Sequence, residues 1–191
     1  MGRKGGALMN LMSTGIPGVF SIKAVSSRDS RGQFSRLFCD KELQSVLHGR
    51  YIRQINRSIT SKAGAIRGMH YQMPPYAEMK IIQCLQGSVF DVAVDLRENS
   101  STYLKWIAFQ LDSESINGLI IPEGCAHGFQ ALREDSELVY FHTAPYTPKS
   151  EGGVRYDDPL LSIKWPLPCV DVSARDLSHP LIDKSFKGIT I

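Results

Sequence analysis

Two short segments of this chain carry residue types that move protons. The first, Arg67-Gly68-Met69-His70-Tyr71-Gln72, closes a run of strand-like residues and is followed by Pro74-Pro75, Glu78 and Lys80. The second, Pro122-Glu123-Gly124-Cys125-Ala126-His127-Gly128-Phe129, reads as a turn feeding a strand. Each sets a histidine on the wall of a β scaffold, beside a glycine that permits close backbone approach. An unperturbed imidazole titrates at about 6.5, so near neutral pH it can both accept a proton and release one. A histidine alone on a strand is usually a hydrogen-bonded structural residue. His70 is not alone: Arg67, Gln72 and Lys80 share its strand and loop, which points to an electrostatic pocket. Tyr140 on a later strand and the pair Arg175-Asp176 in the tail add a phenol and a carboxylate. Nothing in their own neighbourhoods separates those two from core, rim or solvated residues.

A metal site is the competing chemistry. The pattern P-x-G-x-x-H at residues 122–127 is the second metal half-motif of the cupins, and His127 fills its last place. The first half normally offers H-x-H, where this chain reads His70-Tyr71-Gln72, so a good ligand is replaced by a poor one. A catalytic metal wants about three protein ligands and an open position. His70, His127 and Glu78 would have to supply them, and their spacing is wrong for it. No metal is expected.

The elements that position these residues are mostly strands. Residues 19–25 read as a first strand, ended by the polar run 26–30. Asp40 reads as the N-cap of a short helix carrying Leu43, Val46 and Leu47, with Gly49 as its stop. From Tyr51 the pattern is β: 51–60 and 65–71 around a turn at 61–64, then a loop forced by Pro74-Pro75. Residues 79–85 and 88–96 flank Gln86-Gly87 in the manner of a tight hairpin. In the second of these, Phe90, Val92, Val94 and Leu96 face one way and Asp91, Ala93 and Asp95 the other. Further strands fit 103–111, 119–121, 126–132 and 137–143. Short strands spaced by turns, with almost no helix between them, indicate an antiparallel sandwich or jelly roll. The tail from Asp157 is irregular, with one helical turn near 173–177.

Composition narrows the function classes. With 191 residues and 42% hydrophobic residues the chain can bury one core but not two comfortable ones. Residues 1–17 read as a flexible leader, and 18–191 as a single domain. No apolar run approaches the roughly 20 residues that cross a bilayer, so no membrane association and a cytoplasmic location are expected. The 22 basic residues are scattered and leave a net charge of only +3, which argues against nucleic acid as a partner. Cys39, Cys84, Cys125 and Cys169 form no C-x-x-C pair and read as reduced, mostly buried thiols. No G-x-G-x-x-G is present, so no redox cofactor is signalled.

Taken in order, the segments resemble one family, the nucleotide-sugar 3,5-epimerases typified by dTDP-4-dehydrorhamnose 3,5-epimerase. The likeness runs from Gly18 to Phe186: Arg31-Gly32 with Phe34, Gln54-x-Asn56-x-Ser58, RGMHYQ with Lys80, GSVFDVAVDLRENSSTY, IPEGCAHGF, Tyr140, DDPLLSIKWPLP and SARD. The resemblance implies an all-β, cupin-like antiparallel jelly roll (a double-stranded β-helix) with short peripheral helices, working without a metal or other cofactor. It also implies a homodimer with strand exchange.

The resemblance assigns roles as well. His70 matches the catalytic base, Asp176 the carboxylate that orients it, Tyr140 the acid on the opposite face, and Lys80 the cation beside the keto oxygen. Arg31 and Arg67 match pyrophosphate and nucleotide contacts, Gln54 and Asn56 residues near the base, and His127 a pocket histidine near the sugar. Phe34, Arg36 and Tyr146 complete the implied substrate-binding set. Arg36 stands where many members carry a glutamate near the nucleotide base, which leaves the nucleotide open. Phe141 and His142 stand where a lysine and a small residue are common. The implied reaction inverts C3, C5 or both in a nucleotide-diphosphate 4-keto-6-deoxyhexose, in deoxysugar biosynthesis. The 4-keto group makes the neighbouring hydrogens acidic because their removal gives an enolate. A non-catalytic sugar-binding cupin and a metal-dependent cupin enzyme are the alternatives.

Overall fold

The computed structural model describes residues 9–115 and 117–191. Two sheets face each other. The first has the order β1 (Met9–Ser13), β2 (Phe20–Ala24), β10 (Asn117–Ile121), β7 (Lys80–Gln86), β12 (Ser136–His142) and β5 (Gln54–Thr60). The second has the order β13 (Glu151–Gly153), β6 (Ala65–Gln72), β11 (Cys125–Ala131), β8 (Ser88–Asp95) and β9 (Trp106–Asp112), with β14 (Asp171–Val172) added parallel to β6. All other pairings between the strands are antiparallel. β3 (Ser26–Asp29) and β4 (Gly32–Ser35) form a separate two-stranded ribbon. This is the cupin-like jelly roll expected from the sequence.

Strand alternation explains the layering. Ile82, Leu119 and Leu138 of the first sheet meet Val89, Ala93, Leu111 and Phe129 of the second in the central core. Their neighbours Ile81, Ile120 and Val139 point outward, where α1 (Asp40–Leu47) covers them with Leu43, Val46 and Leu47. On the second sheet Val92, Val94 and Leu96 are covered by Leu161, Ile163, Ile182 and Ile189 of the tail. The central strands of both sheets are therefore buried on both faces. Among the described residues no helix is long and apolar enough to cross a membrane.

Several expectations need correction. Gln86-Gly87 does not make a hairpin: β7 pairs with β10 and β12, whereas β8 pairs with β11 and β9. Gly87, at φ +74°, turns the chain from one sheet into the other and packs where a Cβ would lie 2.5 Å from Ser136 Oγ. The flexible leader is overturned for Met9–Ser13, which pair with β2 because Met9 buries its side chain in the cluster under α1. Residues 1–8 lie outside the described residues. Asp40 is the first helical residue and not the N-cap; Cys39 takes that place without a side-chain bond. The polar run after residue 25 is the strand β3. The helical turn near 173–177 is found as α2 (Ala174–Leu177).

Asp95 ties the end of β8 to the following loop and supplies a stability test. Burial pushes its carboxyl up, but hydrogen bonds from Arg97, Ser100 and Thr102 outweigh this and hold it at about 2. A carboxylate lowered on folding stabilises the native state above its unfolded pKa, and that contribution fades as pH falls from 3.8 toward 2. Asp95→Ala should cost about 3 kcal/mol at neutral pH, because the Arg97 charge loses its partner. Urea denaturation should show the gap to the unaltered protein closing toward pH 2; a gap independent of pH would refute the account.

Candidate active site

Between the sheets lies a cavity of about 1040 Å³. β6 brings His70 to it from the second sheet, and the close approach of β6 to β11 sets the ring's position. At Gly68, φ is +116°, and a Cβ there would lie 2.6 Å from the Gly128 Cα. Only glycine lets the strands touch so closely. His70 Nε2 sits 2.8 Å from Asp176 Oδ1, while Asp176 Oδ2 accepts the main-chain N–H of Gly68 at 2.9 Å. α2 presents that carboxylate, its first turn capped by Ser173, whose hydroxyl accepts the Asp176 N–H. Burial raises the Asp176 carboxyl, yet the hydrogen bonds from His70 and Gly68 prevail and hold it at about 2. With Nε2 engaged, Nδ1 is the His70 nitrogen left for the cavity.

Tyr140 faces the same cavity from β12 of the first sheet. Its hydroxyl is 2.9 Å from Ser58 Oγ, and burial pushes the phenol well above its usual value, so it stays protonated. His127 stands edge-on to Tyr140, with Nε2 bonded to Asp91 Oδ2 at 2.8 Å. Asp91 Oδ1 is buried with no hydrogen-bond partner among the described residues. Lys80 opens β7, its Nζ 3.3 Å from Glu78 Oε1 and 3.4 Å from the His70 carbonyl. Burial raises the Glu78 carboxyl, and His142 and Lys80 lower it by more, so the net shift is downward.

The fold thus brings His70, Asp176, Tyr140, Lys80, Arg67, Asn56, His127 and Tyr146 to one cavity. Gln54 lies behind it, bonding Asn56 and the Tyr146 main chain. Arg31, Phe34 and Arg36 are not there. Arg31 pairs with Asp29 on the β3–β4 ribbon, Phe34 is 66% exposed on the same ribbon, and Arg36 pairs with Glu42 of α1. The ribbon is a sheet of its own, so it does not carry these side chains to its own chain's cavity. Among the described residues His70, His127 and Glu78 do not form a group of converging donors. The donors that do converge among the described residues are His70, Asp176 and His179. Sequence reasoning passed over His179, named Ser58 only as part of a matching stretch, and noted Asp91 only for its facing. An aspartate inside the apolar run VFDVAV was the available signal for the last.

Comparison with known proteins places the chain in a family. The family model for dTDP-4-dehydrorhamnose 3,5-epimerase matches residues 13–184. A dTDP-4-dehydrorhamnose 3,5-epimerase from Sinorhizobium fredii is 37% identical over 173 residues, covering 90% of this chain and 89% of the relative. The crystal structure of dTDP-6-deoxy-D-glucose-3,5-epimerase from Legionella pneumophila, in complex with dTDP-4-keto-L-rhamnose, superposes with a TM-score of 0.88. It is 35% identical, with 96% of this chain and 99% of that one covered. A 3'-monoepimerase from Streptomyces bikiniensis, in complex with dTDP-quinovose, gives 0.82 at 30% identity over 88% and 85% of the chains. In sequence and in fold, this chain belongs to the dTDP-4-dehydrorhamnose 3,5-epimerase family and is an isomerase of the epimerase kind.

Proposed function

We propose that the enzyme acts on dTDP-4-keto-6-deoxyglucose or a close dTDP-linked ketosugar and inverts C3, C5 or both. The observation that carries this is the opposition of a dyad, His70 with Asp176, and a protonated phenol, Tyr140, across one cavity. In this reading His70 Nδ1 takes the proton from carbon, and the electron pair moves into the ring to give an enolate on O4. Asp176 holds the imidazolium that forms. A positioned base of this kind is typically worth on the order of 10²–10⁴ in rate. Lys80 Nζ stands at the developing oxyanion, where a preorganised donor contributes roughly 2.7–4 kcal/mol. Tyr140 gives its proton to the opposite face of the same carbon, and inversion follows. The resulting phenolate and imidazolium return to their starting forms through solvent. Arg67 reaches the rim, where a guanidinium suits a diphosphate.

Incubation with dTDP-4-keto-6-deoxyglucose in D₂O tests the substrate. Deuterium should enter at C3, C5 or both, and the pattern separates a double from a single epimerase. No deuterium at either carbon would rule this substrate out.

The enzyme is further proposed to be a cytoplasmic homodimer in which the β3–β4 ribbon serves the partner's cavity. Arg31 and Phe34 stand outside their own cavity, Phe34 is exposed, and the edge strand β5 presents exposed Ile55 and Ile59 beside the cavity. Arg31→Ala and His70→Ala variants, each inactive alone, should regain activity when co-expressed, because a mixed dimer holds one intact site. Absence of any recovery would refute service in trans.

A further inference from the structure

Lys80 is held by an ion pair at the end of a run of hydrogen bonds that can point in only one direction. The main-chain N–H of Tyr146 donates to Gln54 Oε1 at 2.9 Å. A main-chain N–H cannot accept, so Gln54 must show it the oxygen, and the Gln54 NH₂ donates to Asn56 Oδ1 at 3.1 Å. The same logic turns Asn56, whose NH₂ faces His142 Nε2 at 3.4 Å. That nitrogen therefore carries the lone pair and Nδ1 the proton, which is donated to Glu78 Oε2 at 2.8 Å. Glu78 Oε1 remains for Lys80 Nζ at 3.3 Å. All three charged or titratable side chains at this end are shielded, at 7% exposure for Glu78, 11% for His142 and 12% for Lys80.

A lysine ammonium is a point charge on a flexible stem and does not place itself. A carboxylate beside it can anchor it, but it also draws the ammonium away from a second anion. His142 changes that balance by occupying one carboxylate oxygen with its N–H, so Glu78 anchors Lys80 with part of its charge already engaged. We propose that His142, in its Nδ1–H form, and Glu78 are positioning residues that set where the Lys80 ammonium stands in the cavity. The proposal rests on the reading of Lys80 as the cation at the keto oxygen. It also gives His142, where a small residue is common in the family, a definite task.

Two measurements decide it, and they do not depend on the same thing. Two-bond ¹H–¹⁵N correlation spectra of the substrate-free protein should show the proton of His142 on Nδ1, and Asn56→Asp should place a proton on Nε2. In kinetics with dTDP-4-keto-6-deoxyglucose, His142→Leu should lower kcat roughly 10- to 100-fold with little change in KM, the effect of a misplaced catalytic group. His142→Asn, which keeps an N–H near the Nδ1 position, should recover most of that loss. A proton on Nε2 in the unaltered protein overturns the proposal, as does a His142→Asn variant no better than His142→Leu. If His142→Leu does not fold, His142→Asn at near-normal kcat together with the Nδ1 proton supports the proposal, and its failure on either count overturns it. If the unaltered enzyme leaves the ketosugar untouched, the substrate assignment fails separately and the His142 tautomer alone decides the positioning run.

Discussion

Asp176→Asn is expected to slow proton removal on the order of 10⁴-fold with the fold intact, the size of loss seen when a catalytic histidine is driven into the wrong tautomer. The reason lies in how the carboxylate is held. Its Oδ2 accepts the main-chain N–H of Gly68 at 2.9 Å, and its Oδ1 bonds His70 Nε2 at 2.8 Å. Because Gly68 can only donate, an asparagine in this place must leave its carbonyl on Gly68 and turn its NH₂ toward His70. Nε2 is then forced to accept, and the ring proton moves to Nδ1, the nitrogen that acts as base in the proposed mechanism. The base is occupied before the reaction begins. Deuterium wash-in at C3 and C5, followed beside thermal unfolding, checks this directly. A loss of less than about tenfold with an unchanged melting temperature would show that Asp176 does not govern the tautomer.

The same contacts show which parts of the molecule are legible in sequence. Strand existence is legible wherever alternation or apolar runs are strong, as in β8, where Val92 and Val94 turn outward and Val89 and Ala93 inward as the period requires. Partner choice is not. β7 and β8 are apolar on both faces because α1 and the tail cover the outer ones, so no local pattern distinguishes a hairpin from a crossing between sheets. β1 is equally hidden, since its order comes from pairing with β2 and from Met9 in a distant cluster. In the site, His70 and Lys80 are visible because charge gathers around them on one strand and loop. Asp176 lies 106 residues from His70 and is recognisable only through the SARD resemblance. The ribbon residues show the opposite limit: Arg31 and Phe34 fit the family pattern, but a pattern in one chain does not say whose cavity they serve.

Jelly-roll topology explains why these distant residues converge. His70 and Tyr140 sit on strands of different sheets, so the two side chains enter the space between the sheets from opposite walls. That gap suits a sugar ring held between two opposed proton carriers. Beside Tyr140 in the first sheet both neighbouring strands reach the cavity, β7 through Lys80 and β5 through Ser58, which meets the phenol. His142 stacks on the Tyr140 ring at 6.0 Å as part of the wall against which, in the proposed mechanism, a sugar ring would turn.

Tyr140→Phe separates the two half-reactions. In the proposed mechanism proton removal needs only the dyad, so deuterium should continue to enter at the carbons served by His70. Inversion needs a proton from the other face, and its rate should fall by on the order of 10²–10⁴. The structure makes the phenol well suited to that one task. Burial keeps it protonated, and the Ser58 hydroxyl, 2.9 Å away, can rotate to donate to the phenolate left behind. Loss of the hydroxyl leaves Ser58 short of one hydrogen bond, a cost of about 1 kcal/mol, too small to unfold the domain. Proton NMR in D₂O measures both steps at once, through deuterium in recovered ketosugar and through the proportion of inverted product. Exchange with retention is the expected result. Equal losses of exchange and inversion would mean that Tyr140 helps to form the enolate, and the opposition of His70 and Tyr140 would then need a different chemical meaning.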